Sequence, residues 1–187
     1  MLSAIADYID PRAICLQNDA RDWTSVLELL AHRLRASGAV RGTFANALIA
    51  RERARPTGIR LGGNLNVALP RTDPEHVIRP GLALATLAKP VLFRSMEDPA
   101  DLVPVRLVFL MTGTERSAHF GTLQRIAGLF QGRRTVDDLL AAESVAFVVA
   151  SICNCRDALV PAVVTGQLAD DLRFLRSQGP RKRRDGG

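Results

Sequence analysis

The side chain with the most to say about chemistry is Arg71, at the end of the stretch Asn66-Val67-Ala68-Leu69-Pro70-Arg71-Thr72-Asp73. A compact apolar run follows the flexible Gly62-Gly63-Asn64 and passes into a turn. Pro70 fixes φ and offers no amide donor, so it can end a strand ladder but not continue it. Arg71 is then the polar side chain displayed at the tip. A guanidinium stays protonated, with a pKa above about 12, and has no lone pair with which to attack an electrophile. It binds anions instead, and it can pair with a phosphate or with the nearby Asp73 and Glu75. His119, in Ser117-Ala118-His119-Phe120, falls in the first turn of a helix, where free amides and the dipole favour an anion. A hydrogen-bonded residue at a helix start is its plainer reading. His76 lies five residues beyond Arg71 and reads as a surface loop residue. Cys153-Asn154-Cys155 is a weak metal signal, because a tetrahedral site needs four ligands and no second pair is visible. Small apolar residues near a helix end explain it better, and no metal or cofactor site is expected.

The elements that must position these residues can be read from periodicity. Trp23, Val26, Leu27, Leu30 and Leu34 recur at helical steps, with Asp22 placed to cap and Gly38 to terminate, which predicts an amphipathic helix over Trp23 to Ser37. His32 lies on it as a half-exposed surface residue. Thr43 is placed to cap a second helix in which Phe44, Ala47, Leu48 and Arg51 share a face, and Pro56 forces its end. Most of Arg51-Glu52-Arg53-Ala54-Arg55 reads as a solvated face. Ile14-Cys15-Leu16 suits a short edge strand. Asn66 to Leu69 and Leu82 to Leu87 are strands, Lys89-Pro90 turns the chain into Val91-Leu92-Phe93, and Val105 to Met111 has the nearly continuous β-branched and aromatic run of a central strand covered on both faces. Helices are then expected over Ala118 to Gln131, from a cap at Thr135 with Asp137 and Asp138 in the first turn, and from Ser144 through Ile152, where β-branched content leaves a strand open. The pattern is an α/β fold with a mixed β-sheet sandwiched between helices on both faces. Residues 1–156 form one domain, and 157–187 an extension with an amphipathic helix through Leu168, Leu172 and Leu175 and a disordered basic tail.

Composition narrows the classes. Hydrophobic residues at 47% and charged residues at 24% are globular values. The net charge of +6 includes four positive charges packed into Arg181-Lys182-Arg183-Arg184, and Lys89 and Lys182 are the only lysines. Such an arginine bias spread along a chain does not mark a nucleic-acid face, and no nucleic-acid partner is expected. An odd cysteine count of 3 without framework spacing argues against a secreted disulfide scaffold. No apolar run approaches the roughly 18 to 20 residues that cross a bilayer, and the amino terminus lacks a basic segment followed by a long apolar core. The protein is expected to be soluble and cytoplasmic, without membrane insertion.

Four stretches together resemble enzyme IIA of the phosphoenolpyruvate-dependent sugar phosphotransferase system, of the mannitol/fructose type and closest to its galactitol-like branch. They are Leu48-Ile49-Ala50-Arg51-Glu52 with Arg55-Pro56-Thr57-Gly58-Ile59, then Asn66 to Val77, then Lys89-Pro90-Val91-Leu92-Phe93, and last Ala118-His119-Phe120-Gly121-Thr122-Leu123-Gln124. They occur in the family's order at compatible spacings, over a span from about residue 10 to residue 155. In that family the histidine after the loop proline takes a phosphoryl group from the carrier HPr and passes it to a cysteine of enzyme IIB, a task that suits a neutral imidazole nitrogen. The resemblance implies a mannitol-type enzyme IIA fold, an HPr-like carrier and an enzyme IIB-like protein as partners, and no cofactor. It places Arg71 at the phosphoacceptor position, His119 as the second active-site histidine and Arg51 as a phosphate-stabilising residue.

Arginine at the acceptor position removes the nucleophile. Two readings follow: an enzyme IIA-like component with phosphotransfer impaired, or a non-catalytic regulatory or binding module that docks HPr-like or IIB-like partners or an anion. Whether the chain is an enzyme stays open at this level, as does phosphorylation at His119 or His76 instead.

Overall fold

The computed structural model describes residues 8–61, 66–114 and 133–154. Its sheet has five strands: β1 (Ile9–Asn18), β2 (Gly58–Arg60), β3 (Asn66–Ala68), β4 (Gly81–Arg94) and β5 (Leu102–Thr112). They lie in the order β1-β4-β5-β3-β2, with β1 parallel to β4, β4 antiparallel to β5, β5 parallel to β3, and β3 antiparallel to β2. Helices α1 (Trp23–Ala36), α2 (Phe44–Ala54), α3 (Arg133–Leu140) and α4 (Val145–Asn154) complete the described elements.

Two cores form because side chains alternate across β4 and β5. Leu84 stands opposite Phe109 and Leu82 opposite Met111, and these four share one buried cluster with Val136 and Leu139 of α3 and Val148 and Ile152 of α4. Ala83 stands opposite Leu110 and Ala85 opposite Val108, in a second cluster with Leu27, Leu30 and Leu34 of α1 and Leu48 of α2. Small alanines on that side leave room for the leucine stripe, each buried leucine contributing about 1.5–3 kcal/mol. The sheet is therefore mixed and covered by helices on both faces, as the hydrophobic periodicity implied.

The start of α1 follows its sequence signal: the Asp22 side chain accepts the Ser25 amide at 2.9 Å, and Gly38 takes φ +74 just past the end. His32 is exposed. Ser144 Oγ accepts the Phe147 amide at 3.2 Å, and Val145–Asn154 is helical rather than a strand.

Other expectations need correction. Lys89-Pro90 does not turn the chain: β4 is continuous across it, with an irregularity between Thr86 and Val91. The β1 ladder ends at the Asn18 and Leu87 pair, so Pro90 lies where one side of β4 has no described strand, and its missing amide is not needed. β1 is longer than the brief Ile14 to Leu16 run, and its Pro11 is exposed on the sheet edge. β2 was not legible as a strand, being three residues long. α3 begins at Arg133, so Thr135 lies inside it, not at its cap. Val136 and Leu139, three apart and both buried, set its phase. The Ala118 to Gln131 helix and the segment beyond Asn154 fall outside the described residues.

Candidate functional site

Three backbone contacts fix the loop that carries Arg71. The Leu69 amide donates to Thr57 O at 3.3 Å, the Met111 amide donates to Pro70 O at 3.2 Å, and Arg71 bridges Met111 in parallel. The loop is thus held between the β2 entry and the end of β5. This overturns the expectation of a charged tip, since Arg71 is buried at 8% exposure. The bridge continues the direction of β3 alongside β5 and draws the side chain in.

The end of α2 supplies the charges around it. The Arg71 pKa is pulled down to about 10, by burial first and then by Arg51 and Arg55, against the opposing pull of Glu52. The guanidinium remains a cation at neutral pH and offers no lone pair. Glu52 is itself buried and is pushed up to about 7 by that burial, against the hydrogen bonds from Thr57 and the attraction of Arg71 and Arg51. Its Oε1 accepts the Thr57 amide at 2.9 Å, and the Thr57 hydroxyl lies 3.1 Å from Oε1 and 2.9 Å from Oε2. One carboxyl thereby spans the helix stop at Pro56 and meets the residue whose carbonyl holds Leu69.

Glu52 and Thr57 are the residues that sequence reasoning left without a role. Their only signal was membership of the Arg51-Glu52 and Pro56-Thr57-Gly58 segments. A bond that crosses a proline turn leaves no periodic trace.

The acidic residues beyond Arg71 are engaged by other partners as well. Arg51 Nη1 lies 3.1 Å from Asp73 Oδ1, and Glu75 Oε1 lies 3.3 Å from His76 Nε2. His76 Nδ1 is 2.9 Å from Thr43 Oγ1, and the His76 carbonyl accepts the Arg41 amide at 2.9 Å. His76 is therefore a tie between the loop and the start of α2, not a plain surface residue. The same contact explains why Thr43 makes no side-chain cap for α2.

The structure brings Arg51 and Arg71 together, with Arg55 and Glu52 beside them. His119 lies outside the described residues. Cys153 is exposed near the end of α4, and Cys155 lies outside the described residues. Among the described residues no group of three or more His, Cys, Asp or Glu could hold a metal ion, and no helix is long and apolar enough to cross a membrane. The arrangement gathers the positive charge of Arg51, Arg55 and Arg71 around one buried carboxyl, Glu52.

The chain is similar to the phosphotransferase IIA component SgcA of Escherichia coli (strain K12), a protein whose own assignment is provisional. The two are 28% identical over 142 residues, 71% of this chain and 95% of that protein. Among solved structures it is similar in fold to the mannitol-specific cryptic phosphotransferase enzyme IIA CmtB of E. coli, with TM-score 0.66 and 20% identity over 81% of this chain and 99% of that one. It is likewise similar to E. coli mannitol enzyme IIA as solved in complex with phosphorylated enzyme IIB, with TM-score 0.62 and 20% identity over 75% and 94% of the two chains. Residues 7–155 match the family described as phosphoenolpyruvate-dependent sugar phosphotransferase system, EIIA 2, and the chain belongs to that family.

Proposed function

We propose that this chain is an enzyme IIA component whose acceptor loop binds rather than carries: Arg71 takes the place of the phosphoacceptor histidine, and the loop captures an anion or the phosphorylated face of a partner. One observation carries this reading. Arg71 is buried and still cationic beside Arg51, Arg55 and Glu52, so the position has charge but no nucleophile. The phosphoryl relay is absent rather than slowed. An HPr-like carrier and an enzyme IIB-like protein are the expected docking partners, with the galactitol-like branch the nearest subtype. His119 is assigned the supporting role on the resemblance of its segment. His76 is a poor substitute acceptor, because one ring nitrogen meets Thr43 and the other lies beside Glu75.

The test is incubation with phosphoenolpyruvate, enzyme I and HPr, followed by assay for acid-labile phosphate. No label is expected in the native chain, with label appearing in Arg71→His. Label on the native chain at His119 or His76 would overturn the binding reading in favour of a displaced relay. Arg71→Ala should abolish capture of sulfate, and unchanged affinity would remove Arg71 from an anion site.

A further inference from the structure

Glu52 stands apart from the other groups of the site. It is a carboxyl with 5% exposure placed among arginines. Arg71 on the loop and Arg51 on its own helix act on it through their charge, while Thr57 hydrogen-bonds it from the β2 entry. Glu52 also lines a small cleft of about 150 Å³ with Trp23, Arg53, Phe93 and Arg94. Arg53 lies over the Trp23 ring at 5.9 Å. The charged groups around the carboxyl are therefore Arg51 and Arg53 on α2, Arg94 on β4 and Arg71 on the loop, with Arg55 beside Arg71 and Asp73 paired to Arg51.

We propose that Glu52 sets the charge of the Arg51 and Arg71 loop, so that the loop takes a dianion best when this carboxyl is protonated and releases it as the carboxyl ionises. The inference rests on the anion-binding reading and deepens it. As a carboxylate, Glu52 offsets one guanidinium and repels a second anion. As a carboxylic acid it no longer offsets the charge of the arginines, and it can still accept the Thr57 amide. Binding of a dianion and uptake of a proton are then linked, and each must favour the other. Because burial already brings Glu52 to about 7, the change falls in the physiological range. Linkage to one proton limits the effect to roughly tenfold in affinity per pH unit.

Sulfate is the probe, since its charge is constant between pH 6 and 8 whereas phosphate titrates there. Calorimetric titration of the full chain should show sulfate binding that tightens several-fold from pH 8 to pH 6. Repeating it at pH 7.5 in two buffers of different ionisation enthalpy should show net proton uptake on binding. Glu52→Gln, which keeps the shape of the side chain, should bind at pH 8 nearly as tightly as at pH 6. Histidines still titrate in that variant, so a slope equal to that of the native chain would overturn the proposal. Absence of proton uptake by the native chain would overturn it without any variant. Sulfate binding that is intact but independent of pH would sink this inference alone, whereas no binding at any pH would remove the anion-site reading too.

Discussion

Arg51 Nη1 meets Asp73 Oδ1 at 3.1 Å, and this contact joins the last turn of α2 to the loop just beyond Arg71. The arginine side chain is 16% exposed and the aspartate 48%, so water screens the pair and its worth is ~0.2–1 kcal/mol. Asp73→Ala should lower the thermal midpoint by only a few degrees. Removing one negative charge from the loop should also tighten sulfate binding in the same variant. A loss of stability well above ~2 kcal/mol would mean that the loop depends on this pair for its fold.

Thr57→Val keeps the β-branched shape and deletes the hydroxyl that meets both Glu52 oxygens. A buried carboxylate deprived of a donor should lose ~1–3 kcal/mol, read from urea unfolding at pH 8. The deficit should shrink at pH 5, where Glu52 is neutral and needs the donor less. An equal deficit at both values would show that the hydroxyl acts through packing alone.

Gly58 is needed for close approach rather than for a positive φ. A Cβ built there would lie 2.7 Å from the Arg94 carbonyl oxygen and 3.2 Å from Phe93 Cβ. The backbone on both sides is pinned, since the Met96 amide donates to Gly58 O at 2.8 Å. Gly58→Ala should therefore destabilise by ~1–3 kcal/mol in denaturant unfolding. An unchanged midpoint would reveal slack between β2 and the end of β4.

Glu52 also leaves a mark on stability as a function of pH. Its folded value, about 7, lies above the ordinary 4.5, so between those values the native state holds a proton that the unfolded chain has lost. Stability from this group is present in full below about 4.5 and is lost as pH rises to about 7, by up to roughly 3 kcal/mol. Glu52→Gln should flatten that part of the stability profile. A native chain equally stable at pH 5 and pH 8, with other groups matched by the variant, would count against the buried acid.

The fold was legible wherever burial imposes a period. Val26, Leu27, Leu30 and Leu34 gave α1, and the run at Val105 to Met111, broken only by Arg106, gave the central β5, because its apolar residues each satisfy one of two cores. Lys89-Pro90 misled because proline marks a break only where its amide would have had a partner, and the end of β1 is a fact of tertiary structure. The site was half legible. The type of residue at Arg71 was enough to say that this side chain offers no free lone pair, and the order of segments was enough to point to the family. Neither could say that Arg71 is buried, that His76 is held by Thr43, or that Glu52 reaches across Pro56 to Thr57, since all three depend on distances between separate elements.

The strand order has a consequence for how the site comes into being. β4 and β5 are neighbours in the chain and in the sheet, and so are β2 and β3, so each antiparallel pair can close over a short separation. The parallel docking of β3 on β5 joins segments some forty residues apart, and Arg71 bridges Met111 at that same seam. Pairing over such a separation is slow relative to local closure. The arginine loop should accordingly be assembled late in folding, and amide exchange at Met111, whose N–H donates to Pro70, should report the docking of the two halves of the sheet.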